Sequence, residues 1–206
     1  KTYDVRIDYS QSPDGRKNAT EMNYWAKDNP SLRLEWAMPS DADIIAGQIA
    51  PYREQLADAD AIVFVGGTDH NLDCEGRDRT SMQFPQGQTE LIRQVSAING
   101  KTIVVLMHGA PIDLPWIDRV PAVLDMFFPG MEGGTAMADI LFGDADPSGR
   151  LTFSWPERLE DSPVYELATQ DVDNVNYEDS LMVGYRYFDT KRVTPRYEFG
   201  YGLSYT

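Results

Sequence analysis

The sequence has 206 residues, of which 42% are hydrophobic, and 33 acidic against 18 basic side chains give a net charge of −15. This length fits one domain, or one domain and part of another, and the apolar content excludes an intrinsically disordered chain. The acidic surface argues against nucleic-acid binding and against docking on anionic membranes, and no apolar run approaches the ~20 residues that span a bilayer.

Residues 1–40 show the alternation of half-buried β-strands. Apolar and polar side chains alternate over residues 2–9 and again over residues 32–36, with a Pro-Asp-Gly turn at 13–15 between them. Two strands do not form a stable sheet alone, so this stretch is predicted to be a short remnant of a larger β-domain with an antiparallel sheet. The chain also starts inside a strand pattern, at Lys1 and without an initiator Met, which predicts that it is cut from a longer protein.

From Asp41 onward, helical patterns alternate with buried strands. Helical spacing of apolar residues predicts helices over 44–56, 86–99 and 135–142. Apolar runs predict buried strands over 61–65, 102–107 and 123–128, and residues 151–155 are predicted to form another strand. This alternation predicts an α/β fold, a three-layer α/β/α sandwich with a mainly parallel sheet. The last forty residues, rich in Tyr and Gly, are predicted to be irregular with short strands.

Short motifs for metals and cofactors are incomplete. Residues 144–155 begin like a calcium loop, but Trp155 stands where a bidentate Glu is required. Gly66-Gly67 follows a strand without the rest of a phosphate-binding pattern. One cysteine and two histidines leave little for a disulfide or a zinc site. We therefore predict no metal and no cofactor, and we interpret His108 as a hydrogen-bonded residue at the sheet edge rather than a catalytic base.

The loop after the first buried strand is the main candidate for a functional site. Residues 66–79 are mostly polar and leave the carboxyl end of that strand, where α/β sheets place their functional groups. Glu75 precedes Gly76, which lets the backbone turn sharply, and Asp78 could pair with Arg79 and brace the loop. A carboxylic acid held there can serve as a general acid once a partner surface desolvates it. The alternative is that Glu75 is an exposed side chain in a hydrated loop.

Several motifs between Asp60 and the C-terminus resemble the C-terminal α/β sandwich of glycoside hydrolase family 3. They occur in the order expected for the family: Glu75–Met82, Gly109–Trp116, Phe128–Gly134, Ala138–Gly143, Pro147–Leu151, Val183–Phe188 and Phe199–Tyr205. Residues 1–40 resemble the end of the protective-antigen-like β-sandwich that some members carry as an insertion. The resemblance implies two parts, residues 1–40 from that β-domain and residues 41–206 from the C-terminal part of the sandwich.

The family resemblance assigns a role to Glu75. In this family an aspartate nucleophile on an N-terminal (β/α)8 barrel is expected to attack the anomeric carbon, and a sandwich-domain glutamate acts as general acid and then as base. Glu75 matches that glutamate through the motif Glu-Gly-x-Asp-Arg, with Gly76, Asp78 and Arg79 supporting its loop. Cys74 departs mildly from the pattern, because Ser or Thr is common there. Glu132 is the competing carboxylate, and we interpret it as holding its Gly-rich turn through backbone N–H groups.

The resemblance implies part of a retaining, exo-acting β-glucosidase. Its expected substrates are β-glucosides or cello-oligosaccharides, cut at terminal non-reducing β-D-glucosyl residues. No barrel motif occurs in these 206 residues, so the segment alone is expected to be inactive without the N-terminal barrel of the same enzyme. The alternatives are a non-catalytic sugar-binding or scaffolding module of the same fold, and β-xylosidase or exo-β-glucanase specificity. A secreted or periplasmic location is favoured over a cytoplasmic one, and homo-oligomerisation is left open.

Overall fold

A computed structural model of the protein describes residues 40–76, 79–85, 87–165 and 180–205. The chain divides between Ser40 and Asp41 into two units, and all described residues except Ser40 belong to the second. The strands predicted in residues 1–40, and their protective-antigen-like assignment, lie outside the described residues and stay predictions.

A parallel sheet of three strands forms the centre of the described unit. The strands are β1 (Ile62–Gly67), β2 (Thr102–Met107) and β3 (Ala122–Asp125), in the order β1-β2-β3. β2 lies between the other two and buries three consecutive side chains, Val104, Val105 and Leu106, as the continuous apolar run predicts. Because all three strands run the same way, their carboxyl ends meet at one edge of the sheet.

Five α-helices accompany the sheet in the described residues. They are α1 (Asp41–Ile49), α2 (Arg53–Asp58), α3 (Gln88–Ile98), α4 (Gly133–Phe142) and α5 (Tyr185–Lys191), with 3-10 turns at Ala50–Tyr52, Ile117–Arg119 and Leu159–Asp161. The single helix predicted over 44–56 is interrupted, because Pro51 has no N–H to donate to the preceding turn. The longest of these helices has 11 residues, and none in the described ranges is long and apolar enough to cross a membrane.

The helices α1 and α3 pack together beside the sheet. Ile45 and Ile49 of α1 meet Val95 of α3 in one apolar cluster, against which Ile62 of β1 packs. Ile92 of α3 is fully buried in a second cluster with strand residues, which are Phe64, Val104 and Leu106. The parallel sheet and its packed helices confirm the predicted α/β sandwich.

The strand predicted over 151–155 is wrong. Trp155 forms only an isolated antiparallel bridge with Tyr197, and a second contact joins Leu151 N–H to the Tyr201 carbonyl at 2.8 Å. Pro156 follows directly and has no N–H with which to continue a ladder. In the last forty residues, the described part holds helix α5 rather than the predicted short strands. The acidic stretch Asp171–Asp179 lies outside the described residues.

Gly66 and Gly67 at the end of β1 allow close packing. A Cβ atom on Gly67 would overlap the Met107 carbonyl oxygen, which accepts a hydrogen bond from Thr68 N–H at 2.9 Å. The Gln88 side chain pairs with the Gly67 backbone twice: its amide donates to the carbonyl and its Oε1 accepts from the N–H, both at 2.9 Å. The two glycines therefore allow α3 and β2 to pack closely against β1.

Gly67→Ala is expected to destabilise the protein by ~1–3 kcal/mol, because the added methyl group meets backbone atoms that cannot move aside. Chemical denaturation of the complete protein measures the change. Gly47→Ala is the matched control, since Gly47 lies in α1, where an added Cβ atom would have nothing within 4 Å. Alanine there should be neutral or stabilising by up to ~1 kcal/mol. Equal midpoints for the Gly67 variant and the wild-type protein would contradict the close approach.

Candidate functional site

The carboxyl edge of the sheet carries the candidate site. The loop after β1 leaves at Thr68 and contains Glu75, and the loop after β2 begins with His108 and Gly109. Neighbouring parallel strands bring these two loops side by side. The predicted site loop therefore faces a second loop that is some 36 residues away along the chain.

The first turn of the site loop is held by Asp69. Its side-chain oxygens accept hydrogen bonds from Asn71, from the backbone N–H at 2.9 Å and from the side-chain amide at 3.2 Å. Its carbonyl accepts from the N–H groups of Leu72 and Asp73 at 3.0 and 2.9 Å. The hydrogen bonds from Asn71 hold the pKa of Asp69 below its ordinary value. Residues 69–73 therefore form a compact, hydrogen-bonded turn.

Asp73 connects the site loop to the ends of two strands. Its Oδ2 accepts a hydrogen bond from the Thr68 hydroxyl, at the end of β1. The same oxygen accepts from Gly109 N–H, just after β2, at 3.0 Å. Its Oδ1 lies 3.6 Å from the Arg79 guanidinium, and the Asp73 side chain is only 9% exposed. Sequence reasoning missed this residue.

Arg79 anchors the other end of the site loop. Its Nη1 donates to the carbonyls of Ala110 and Pro111 at 3.3 and 3.2 Å, in addition to its contact with Asp73. The partner that the structure gives Arg79 is Asp73. The predicted Asp78–Arg79 pair stays a prediction, because Asp78 lies outside the described residues.

Glu75 and Gly76 lie between these two anchors, at the exposed part of the loop. Gly76 has φ +73°, a left-handed conformation that favours glycine and turns the chain directly after Glu75. Among the described residues, the Glu75 carboxylate has no hydrogen-bond or ion-pair partner. Cys74 is also exposed, and its thiol lies 3.9 Å from the Asn71 carbonyl. The loop thus presents one carboxylic acid to the outside on a supported turn.

His108 follows β2 and is fully buried. Its Nδ1 lies 2.9 Å from the Ala110 carbonyl, an acceptor, so Nδ1 carries the hydrogen. Its Nε2 lies 3.1 Å from Asp125 Oδ1 at the end of β3, without a well-aligned hydrogen bond. A side chain with no exposed surface cannot contact a substrate. His108 instead has a structural role, because its ring lies between the loop after β2 and the end of β3.

A polar depression lies beside the segment that follows Arg79. This depression of about 230 Å³ is lined mostly by polar residues, which are Thr80, Ser81, Gln83, Asp113, Arg158 and Glu160. Burial raises the pKa of Asp113 above its ordinary value, and the charge of Arg79 opposes that rise. Asp113 N–H donates to the Met82 carbonyl at 2.7 Å, which ties the loop after β2 to the segment after Arg79.

Glu132 has a different environment from the one predicted. It precedes α4, and its Oε2 accepts from the Thr135 hydroxyl at 3.4 Å. No side-chain cap bond reaches the helix backbone, so the predicted bonds to backbone N–H groups are wrong. The reason is conformational: Glu132 has φ −89° and ψ 11°, whereas a capping residue needs an extended backbone.

Metal ligands are not gathered in the described part of the chain. No three His, Cys, Asp or Glu side chains there lie close enough to share an ion. Asp146, in the segment that begins like a calcium loop, instead accepts a hydrogen bond from Tyr205 N–H at 2.8 Å. What the site offers chemically is therefore an exposed carboxylic acid on a braced loop.

Comparisons with known proteins point to one family. Residues 3–205 match the sequence model of the glycosyl hydrolase family 3 C-terminal domain. The chain is 44% identical over 146 residues to thermostable beta-glucosidase B of Acetivibrio thermocellus, covering 71% of this chain and 19% of that protein. It is 40% identical over 159 residues to beta-glucosidase BoGH3A of Bacteroides ovatus, covering 74% and 21%.

Solved structures give the same answer for the fold. The crystal structure of beta-glucosidase from Kluyveromyces marxianus in complex with glucose superposes with a TM-score of 0.74 at 34% identity. The match covers 84% of this chain and 20% of that one. The chain therefore spans about a fifth of the length of the relatives it matches.

Proposed function

The chain belongs to glycoside hydrolase family 3, whose C-terminal domain it matches, and from that membership we propose that Glu75 is the general acid/base of a retaining β-glucosidase. The activity proposed is that of the complete protein, because the chain spans about a fifth of its relatives. The aspartate nucleophile is proposed to lie on a (β/α)8 barrel outside residues 1–206.

The observation that carries the proposal is the position of Glu75. Its carboxylate is exposed, has no partner among the described residues, and lies on a turn tethered to the ends of β1 and β2. A general acid must reach the glycosidic oxygen, so a side chain already engaged in an ion pair would be a poorer candidate. Asp73 is engaged in that way, and Glu75 is not.

The proposed reaction has two steps. In the first, Glu75 donates a proton to the departing glycosidic oxygen while the aspartate bonds to the anomeric carbon. In the second, the Glu75 carboxylate takes a proton from the water that displaces the aspartate from the anomeric carbon. Each step inverts that carbon, so the configuration is retained overall. A barrel and a bound sugar covering Glu75 would exclude water from its carboxyl group, and an apolar, water-free surrounding favours the neutral acid that the first step needs.

The proposed substrates are β-D-glucosides or short cello-oligosaccharides. The relatives are named beta-glucosidases, and the Kluyveromyces marxianus structure is a complex with glucose. The acidic surface also suits an uncharged sugar better than an anionic one. Gly76, Asp78 and Arg79 are proposed to support the loop, so that Glu75 faces the glycosidic bond of the substrate.

The test of this function is turnover by the complete protein. We expect it to hydrolyse an aryl β-D-glucopyranoside, and 1H NMR should show the β-anomer of glucose as the first product. The aryl β-D-xylopyranoside run alongside should be the poorer substrate, and the isolated 206-residue segment should be inactive with both. A folded complete protein that binds glucosides without cleaving them would favour the non-catalytic module, and α-glucose as first product would exclude retention.

A further inference from the structure

We infer that Asp73 positions Glu75, by fixing both flanks of its loop to the carboxyl edge of the sheet. This inference rests on the proposed function of Glu75, and it adds a residue outside the Glu-Gly-x-Asp-Arg motif at residues 75–79. Asp73 lies two residues before Glu75, and Arg79, its ion-pair partner, lies four residues after it. The pair therefore closes a short loop that contains Glu75 and Gly76, both of which are exposed.

The upstream flank is fixed through Asp73 Oδ2. This single oxygen accepts from the Thr68 hydroxyl and from Gly109 N–H at 3.0 Å, so it joins the end of β1 to the loop after β2. Gly109 leaves little room for a larger residue, because a Cβ there would lie 3.4 Å from Asp73 Oδ2 and 2.7 Å from the Phe128 ring. The tether is thus attached to the ends of the sheet strands.

The downstream flank is fixed through Asp73 Oδ1. The Arg79 guanidinium lies 3.6 Å from it, and the two side chains are 14% and 9% exposed, so solvent screens the pair only weakly. Arg79 also donates to the Ala110 and Pro111 carbonyls, which belong to the same loop that supplies Gly109. Both ends of the Glu75 turn are consequently attached to the loop after β2.

Asp73 itself does not fit the role of a catalytic residue. Both of its oxygens are occupied by neighbours within the protein, and its side chain is almost completely buried. A carboxylate is nevertheless required, because one oxygen accepts two hydrogen bonds while the other lies beside the Arg79 guanidinium, whereas an asparagine offers only one acceptor oxygen and no charge. Asp73 therefore acts on the reaction through the placement of Glu75, and a displacement of about 1 Å can cost ~10²-fold in rate.

The test compares two leaving groups in the complete protein. For Asp73→Ala we expect kcat/KM to fall by up to ~10²-fold with an alkyl β-glucoside, whose leaving group needs a proton. With 2,4-dinitrophenyl β-glucoside, whose leaving group needs none, kcat/KM should stay at the wild-type value. A loss of folded protein would lower both by the same factor. Asp73→Asn keeps one acceptor oxygen and should show a smaller loss with the same dependence, which decides the matter if the alanine variant does not fold.

The matched control is Asp58→Asn, because Asp58 is an exposed acid at the end of α2, just before β1 and outside the site loop. It should leave both kcat/KM values unchanged. Equal losses for both leaving groups in the Asp73 variants, or no loss, overturn the positioning role. Glu75→Gln measured in parallel separates the two proposals. If its loss of kcat/KM is the same for both leaving groups, the proposed function fails as well. If its loss depends on the leaving group but that of the Asp73 variants does not, only the role of Asp73 is overturned.

Discussion

Glu75→Gln in the complete protein is expected to lower kcat/KM for an alkyl β-glucoside by ~10²–10⁴-fold, the usual contribution of general acid catalysis. Glutamine has nearly the same shape as glutamic acid but cannot donate a carboxylic proton to the departing oxygen. Folding should be unaffected, because the Glu75 carboxylate has no partner among the described residues. Steady-state kinetics together with a thermal unfolding scan measure both quantities.

Glu132→Gln is the matched control for that experiment. Glu132 is also an exposed glutamate that follows a strand at the same edge, but its carboxylate bonds only to the Thr135 hydroxyl in the described structure. We expect kcat/KM of this variant to stay at the wild-type value. If Glu132→Gln lost activity and Glu75→Gln retained it, the assignment of the two carboxylates would be reversed.

Trp155→Ala is expected to destabilise the complete protein by ~3–5 kcal/mol, the typical cost of deleting a buried large aromatic side chain. Trp155 is 3% exposed and lies edge-on to the His108 ring, with ring centroids 5.1 Å apart. Its indole N–H donates to the buried Ile112 carbonyl at 3.0 Å, and that acceptor would lose its partner. Chemical denaturation measures the loss.

The control for Trp155 is an aromatic residue whose side chain is mostly exposed. Phe142, the last residue of α4, is 85% exposed, so Phe142→Ala should change stability by no more than ~0.5 kcal/mol. Similar unfolding midpoints for the two variants would show that Trp155 does not belong to the core around β2.

The central sheet could be predicted because its strands have uninterrupted apolar runs. β2 begins and ends at the predicted residues, 102–107, and its neighbour β1 starts within one residue of the prediction. The strand predicted over 151–155 is wrong, because the alternation of apolar and polar residues there does not show whether a partner strand is present. Its hydrogen bonds go to residues more than forty positions later, which local sequence does not reveal.

The site could be predicted only in part. The position of Glu75 after a buried strand and before a glycine was readable from the chain, and the family resemblance gave its proposed role. Asp73 was not found, because its partner Gly109 is 36 residues away and is brought close only by the β1-β2 register. The structure pairs Arg79 with Asp73, which is six residues away in sequence, and the predicted pair with Asp78 lies outside the described residues. Family membership is now shown, whereas the inserted β-domain in residues 1–40 stays a prediction.

The role of Glu75 is tested most directly by adding azide to the Glu75→Ala variant, whose short side chain leaves room for the azide ion, with 2,4-dinitrophenyl β-glucoside as substrate. The first step needs no acid with this leaving group, so the glycosyl-enzyme intermediate should accumulate. Its hydrolysis is slow, because no base activates the attacking water. Azide is already an anion and needs no base. We therefore predict that azide raises kcat and that NMR identifies β-glucosyl azide as the product. A kcat unchanged by azide, with glucose as the only product, would contradict Glu75 as the acid/base.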